Sequence, residues 1–196
     1  MERKSGILLH PTSLPDTPIC GTFGSPARVW LNDLAKCGIG VWQFLPLAPP
    51  DSLGSPYSSP SSFAFNPWFL DEDDLVRDGF LANNLENFSS KIDDSDGRVD
   101  FKLANSRVES LSSSLVDAWE KQNANIKEEF EVWCEKQYWL DDHSIFMELR
   151  SQNNNLPWWE WPEKFAAYDK KELVNWKKDH KKELLGHNLI QWHLYR

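Results

Sequence analysis

Between Leu45 and Asp71 the sequence reads LPLAPPDSLGSPYSSPSSFAFNPWFLD, and the residue types there suit one kind of ligand. Prolines at positions 46, 49, 50, 56, 60 and 67 fix φ and remove the freedom of an ordinary loop. Ser55, Ser58, Ser59, Ser61 and Ser62 offer hydroxyls, while Tyr57, Phe63, Phe65 and Trp68 offer flat apolar faces. A stiff surface of rings and hydroxyls fits a sugar, whose C–H faces are apolar and whose rim is polar. The stretch is too long for a connector. On composition alone, a plug at the end of a barrel is an equal alternative to a binding loop.

Other residues invite chemistry less strongly. His10 follows the apolar run Gly6 to Leu9, where an imidazole can donate to a substrate hydroxyl, although an interior hydrogen-bonded histidine is the commoner outcome. The run from Pro157 to Pro162, PWWEWP, has the rings of a stacking platform, but rings of this size more often lock helices together, and packing is the expectation. Asp71, Glu72, Asp73 and Asp74 are expected to open a helix, where the macrodipole favours anions, and not to hold a cation. His180 and His187 lack the four-residue spacing of a helical metal pair, so neither a metal nor another cofactor is expected. Glycosyl transfer needs two carboxyl groups ~5–9.5 Å apart. No acid stands directly after either apolar run of the first 45 residues.

Those residues need elements to position them. Gly6 to Leu9 and Val41 to Leu45 are short apolar runs ended by proline, the pattern of strands buried on both faces. Between them Ser25 is placed to cap a helix that starts at Pro26, carries Ala27, Trp30, Leu31 and Leu34 at helical spacing and ends at Gly38. A strand, helix, strand unit implies two parallel neighbours, with ligands gathered at the C-terminal strand ends. Residues 1–70 hold 10 of the 12 prolines and only 8 charged side chains; residues 71–196 hold 43 charged side chains and 8 of the 11 tryptophans. The second part is therefore expected to be helical, over Asp100 to about Gln122, Ile126 to about Gln152 and Lys170 to Arg196, with a polar surface loop over Asn83 to Gly97.

Composition excludes several functions. A net charge of −9 without a basic stripe makes nucleic acid an improbable partner. No apolar run approaches the ~20 residues of a membrane span, and the apolar stretch near Met1 is shorter than a signal peptide requires. Cys20, Cys37 and Cys134 are widely spaced, so reduced thiols and a cytoplasmic location are expected.

Five segments together resemble one family: GILLHPTSLP (Gly6 to Pro15), WQFLPLAPP (Trp42 to Pro50), GSPYSSPSSFAFNPWFLD (Gly54 to Asp71), GRVDF (Gly97 to Phe101) and LPWWEWP (Leu156 to Pro162). Their order and spacing are similar to those of the amylomaltases, the 4-alpha-glucanotransferases of glycoside hydrolase family 77. The resemblance implies an α/β fold, the N-terminal part of a TIM (β/α)8 barrel of the alpha-amylase type with an inserted helical subdomain. It divides the chain into the first strands and the long loop (1–71), the inserted subdomain (72–168) and a helix leading to a third strand (169–196). It implies transfer of alpha-1,4-glucan segments to the 4-hydroxyl of an acceptor by a retaining mechanism, with maltose and maltooligosaccharides as partners and no metal in the chemistry.

The family's motifs for the Asp nucleophile and the Glu acid/base do not occur between Met1 and Arg196, so an incomplete, inactive chain is expected. Tyr57 matches the tyrosine that stacks on the glucose at the cleavage point, and Ser55 the neighbouring loop position. His10 and Asn66 lie in matching motifs near the site. Two tyrosines that form a second glucan site in some members correspond to Ser52 and Asn105. A non-catalytic glucan-binding or regulatory protein of the same fold is the alternative reading.

Overall fold

The computed structural model describes residues 3–15, 17, 19–51, 53–85 and 98–196. Gly6–Leu8 (β1) and Val41–Gln43 (β2) pair in parallel with Ile7 opposite Trp42. The crossover between them carries Ser25–Lys36 (α1), with Gly24 at the cap and Pro26 in the first turn, so the helix begins one residue before its expected start. Gly38, at φ +70°, reverses the chain after α1 into β2.

The strands are not buried on both faces as the apolar runs suggest. Each alternates exposed, half-buried, exposed, and Leu8, Val41, Val29 and Leu31 face solvent. Burial on both faces needs a layer packed against each, and among the described residues no element covers these outward side chains.

Five longer helices and two short ones follow among the described residues. Asp71 opens Glu72–Arg77 (α2) by accepting from the Asp74 N–H, the role its acidic run foretold. Phe101–Trp119 (α3) is capped by Asp100. The helix expected over 126–152 is two, Ala124–Lys136 (α4) and Leu140–Gln152 (α5), broken at Gln137. The apolar rhythm Ile126, Phe130, Trp133, Leu140 runs in phase across the break and so hides it. Glu163–Ala166 (α6) is a single turn. The helix expected over 170–196 is likewise two, Lys170–Asp179 (α7) and Lys181–Tyr195 (α8). At the break His180 stacks on Trp176 at 4.2 Å, and its Nδ1 takes the Trp176 carbonyl at 2.8 Å, the acceptor a continuous helix would give to the backbone N–H of residue 180.

The main core gathers Leu111 and Leu115 of α3, Phe130 and Trp133 of α4, and Leu189, Ile190 and Trp192 of α8 around Leu70, Leu75 and Phe80. Trp192 meets Phe130 edge-on at 5.4 Å and Phe80 at 5.8 Å, a favoured ring arrangement. A smaller cluster joins Ile145 and Leu149 of α5 to Trp161, Leu173 and Leu184. No helix among the described residues is long and apolar enough to cross a membrane. The surface loop expected over 83–97 falls, from residue 86 on, outside the described residues.

Candidate functional site

The long loop leaves β2 beside the end of β1. The Leu9 N–H donates to the Gln43 carbonyl at 3.0 Å, and the Trp42 indole N–H donates to the Leu9 carbonyl at 2.8 Å. His10 caps the turn Pro11–Ser13. Its Nδ1 lies 2.8 Å from Thr12 Oγ1 and accepts from the Thr12 N–H, and its Nε2 faces the Pro46 carbonyl at 3.5 Å. Only the tautomer with hydrogen on Nε2 satisfies both sides. Burial lowers the His10 pKa, against the opposing pull of the Pro46 carbonyl. The ring is therefore spent on holding the start of the loop.

From Asp51 the loop folds on its own polar groups. Asp51 Oδ1 accepts from the Leu53 and Ser55 N–H groups at 2.9 Å each. Gly54, at φ +81°, passes under the Phe101 ring, where a Cβ would lie 2.2 Å from Cζ. Ser55 Oγ accepts from the Tyr57 N–H at 3.4 Å and opens the turn Pro56–Ser58. Ser59 and Ser61 turn onto the loop's own backbone: Ser59 Oγ donates to the Ser61 carbonyl, and Ser61 Oγ accepts from the Phe63 and Ala64 N–H groups. Asn66 is buried. Its N–H donates to the Leu47 carbonyl at 2.8 Å and its Oδ1 accepts from the Trp68 N–H, which closes the base of the loop.

Tyr57 stands at the crest, 72% exposed. Among the described residues its hydroxyl makes no hydrogen bond. The structure thus places Ser55 and Tyr57 in one turn, His10 at the start of the loop and Asn66 at its base. No hydrogen bond or ring contact joins His10 to Tyr57 among the described residues.

Three residues fix the loop from the helical side, and two of them, Gln191 and Arg107, were passed over in the sequence. Gln191 of α8, 2% exposed, takes both backbone groups of Phe65: its Oε1 accepts from the N–H and its Nε2 donates to the carbonyl, each at 2.9 Å. Arg107 of α3, 5% exposed, donates to the Trp68 carbonyl at 2.6 Å, the Leu70 carbonyl at 3.1 Å and Glu72 at 3.4 Å. Asn105 Oδ1 accepts from the Trp68 indole N–H at 2.9 Å. Asn105 is exposed, but its amide oxygen is spent on the Trp68 indole; its counterpart Ser52 lies outside the described residues. The first two carried a readable signal, a polar side chain set within an apolar helical face.

A cavity of about 660 Å³ opens between α3, α5 and α8. It borders the loop at Pro49, Asp51 and Asn66, whereas neither Tyr57 nor Ser55 lines it. On its wall His187 Nε2 meets Glu148 at 3.3 Å, which holds the Glu148 carboxyl below the usual range. Burial, with His187 adding repulsion, pushes the nearby His143 down to about 4. No group of three or more His, Cys, Asp or Glu side chains among the described residues could hold a metal ion.

A family model described as 4-alpha-glucanotransferase matches residues 9–196. The chain belongs to the 4-alpha-glucanotransferase family. It is 34% identical over 196 residues to the 4-alpha-glucanotransferase of Synechocystis sp., covering 97% of this chain and 38% of that protein. It is 33% identical over 198 residues to that of Thermus thermophilus, covering 100% and 38%. The chloroplastic/amyloplastic 4-alpha-glucanotransferase of Arabidopsis thaliana is 30% identical over 164 residues, or 82% of this chain and 28% of that one. The amylomaltase of Streptococcus agalactiae, solved in complex with acarbose, superposes with a TM-score of 0.88 at 24% identity over 99% of this chain and 39% of that chain. The α/β fold is thus that of part of a family 77 amylomaltase. The chain spans about 38% of the length of the curated relatives first named.

Proposed function

We propose that the chain forms the glucan-binding loop and adjoining helical part of a 4-alpha-glucanotransferase that moves alpha-1,4-glucan segments to the 4-hydroxyl of an acceptor sugar by a retaining mechanism. The display of Tyr57 on a stiff turn carries this reading. Proline on one side, the Ser55 hydroxyl beneath it and the Asp51 turn before it hold the ring out while its face stays uncovered. A ring so held can stack on a glucose and stabilise positive charge that develops at the anomeric carbon. Ser55 keeps its hydroxyl proton to donate to the same sugar, while His10 and Asn66 act by shaping the loop. The carboxyl pair needed for double displacement belongs, in this reading, to the remaining length typical of the family.

The division into 1–71, 72–168 and 169–196 and a cytoplasmic location are parts of the same proposal; the three free thiols support the latter. Maltose, maltooligosaccharides and longer alpha-1,4-glucans are the proposed substrates. In the complete protein, Tyr57→Ala should lower kcat/KM for maltotriose more than tenfold, about 1.4 kcal/mol of transition-state binding. An unchanged value removes Tyr57 from the site. Glucan binding without any glucose release from maltotriose would instead favour the non-catalytic reading.

A further inference from the structure

We propose that Trp158 and Trp159 form a second docking surface for an alpha-glucan chain, apart from the Tyr57 loop. Packing was the expectation for this run of rings, and it holds only for Trp161, which is buried against Ile145, Leu149, Leu173 and Leu184. Its two neighbours point outward, Trp158 51% and Trp159 64% exposed.

Nothing about the turn is loose. Pro157 and Pro162 bracket it, the Glu160 N–H donates to the Pro157 carbonyl at 2.9 Å, and the Trp161 N–H donates to the Trp158 carbonyl at 3.2 Å. The buried Trp161 indole donates to the Leu156 carbonyl at 2.9 Å and closes the turn on itself, while the ring packs against Ile145 and Leu149 of α5. The two outer rings are therefore presented in advance, which reduces the ordering a ligand must impose.

The geometry selects the ligand. The ring centroids lie 5.7 Å apart with their planes at 82°, so the pair makes an elbow and not a flat apolar patch. A flat partner would cover one ring and miss the other, whereas a curved chain of sugars can set successive C–H faces against both. Exposed Asn154, Asn155 and Glu160 stand beside the rings in sequence, the amide and carboxylate types that hydrogen-bond a sugar rim. Among the described residues no ring contact ties the elbow to the Tyr57 loop. The choice of an alpha-glucan over another sugar chain rests on the transferase reading above.

The test is retardation of the complete protein in native gels containing glycogen, run beside glucose release from maltotriose, a substrate of only three sugars. Trp158→Ala with Trp159→Ala should weaken glycogen binding at least fivefold and leave maltotriose turnover within twofold; Trp→Phe at both positions should restore most of the binding. Unchanged retardation overturns the proposal. So does a melting temperature lowered by more than about 5 °C, since that would mean the rings are packing groups covered by other parts of the protein. If the wild type releases no glucose but still shows tryptophan-dependent retardation, the transferase reading fails and the docking surface stands. Normal turnover with tryptophan-independent retardation fails the docking surface alone.

Discussion

Arg107 shows how one side chain can hold a long loop from behind. It sits in the apolar stripe of α3 with Ala104, Leu111 and Leu115, and its guanidinium satisfies two buried carbonyls at the base of the loop and one carboxylate. Arg107→Met keeps most of the volume but leaves the Trp68 and Leu70 carbonyls and Glu72 without their donor. Losing one partner of a buried, charge-assisted set costs about 3–5 kcal/mol. For a chain of this size the melting temperature should fall by roughly 6 °C or more, measurable by calorimetry; a fall below 2 °C would mean that water replaces the guanidinium without loss. The position was legible as an anomaly, a cation where the helical period calls for an apolar residue. Its partners were not, because 35 to 39 residues of chain separate Arg107 from them. Tyr57 and Ser55 are proposed from a family motif, and what the sequence did not disclose is that Ser59 and Ser61 turn their hydroxyls onto the backbone.

At the scale of elements, the parallel pair, its crossover helix and the caps at Asp71 and Asp100 followed from local signals, since each depends on residues within a few positions. The two helix breaks did not, because the apolar period survives the first and a histidine side chain replaces a backbone donor at the second. The loop and α3 are coupled at Gly54. There a left-handed φ and the Phe101 ring both exclude a Cβ, and Phe101 in turn stacks on Trp68 at 5.4 Å. Gly54→Ala should therefore free the leg of the loop that bears Tyr57, and chymotrypsin should cut at Tyr57 or Phe63 severalfold faster. Gly38→Ala, with a comparable φ of +70° but open space around it, costs only the backbone strain of about 1–2 kcal/mol and should leave the cleavage rate unchanged. Equal effects of the two substitutions would show that Phe101 does not brace the loop.

Across the whole molecule two histidines, His193 and His143, are held strongly toward the neutral ring, and burial lowers His10 in the same direction. Burial, followed by the repulsion of Arg196 and partly opposed by Asp78, pushes His193 down to about 3, with its ring 4.4 Å from Phe80 in the main core. His143 is pushed down to about 4. The unfolded chain takes up these protons near pH 6.5, so between pH 6.5 and 4 the unfolded state binds more protons than the folded one. Stability is then full above pH 6.5, falls as pH drops through this window, and for these two groups levels off only below about 4 and 3. Each contributes a slope of up to about 1.4 kcal/mol per pH unit. Asp74, held low by Arg28, and Glu148, held low by its contact with His187, add losses of the same sign, but only below their ordinary carboxylate range. Urea melts at pH 7, 6, 5 and 4.5 should therefore show stability declining well before the carboxylates titrate, and His193→Gln should remove about half of that slope. A wild-type stability that is flat from pH 7 to 5 would mean that both rings accept protons in place, and that the core around Trp192 is more open to water than its packing implies.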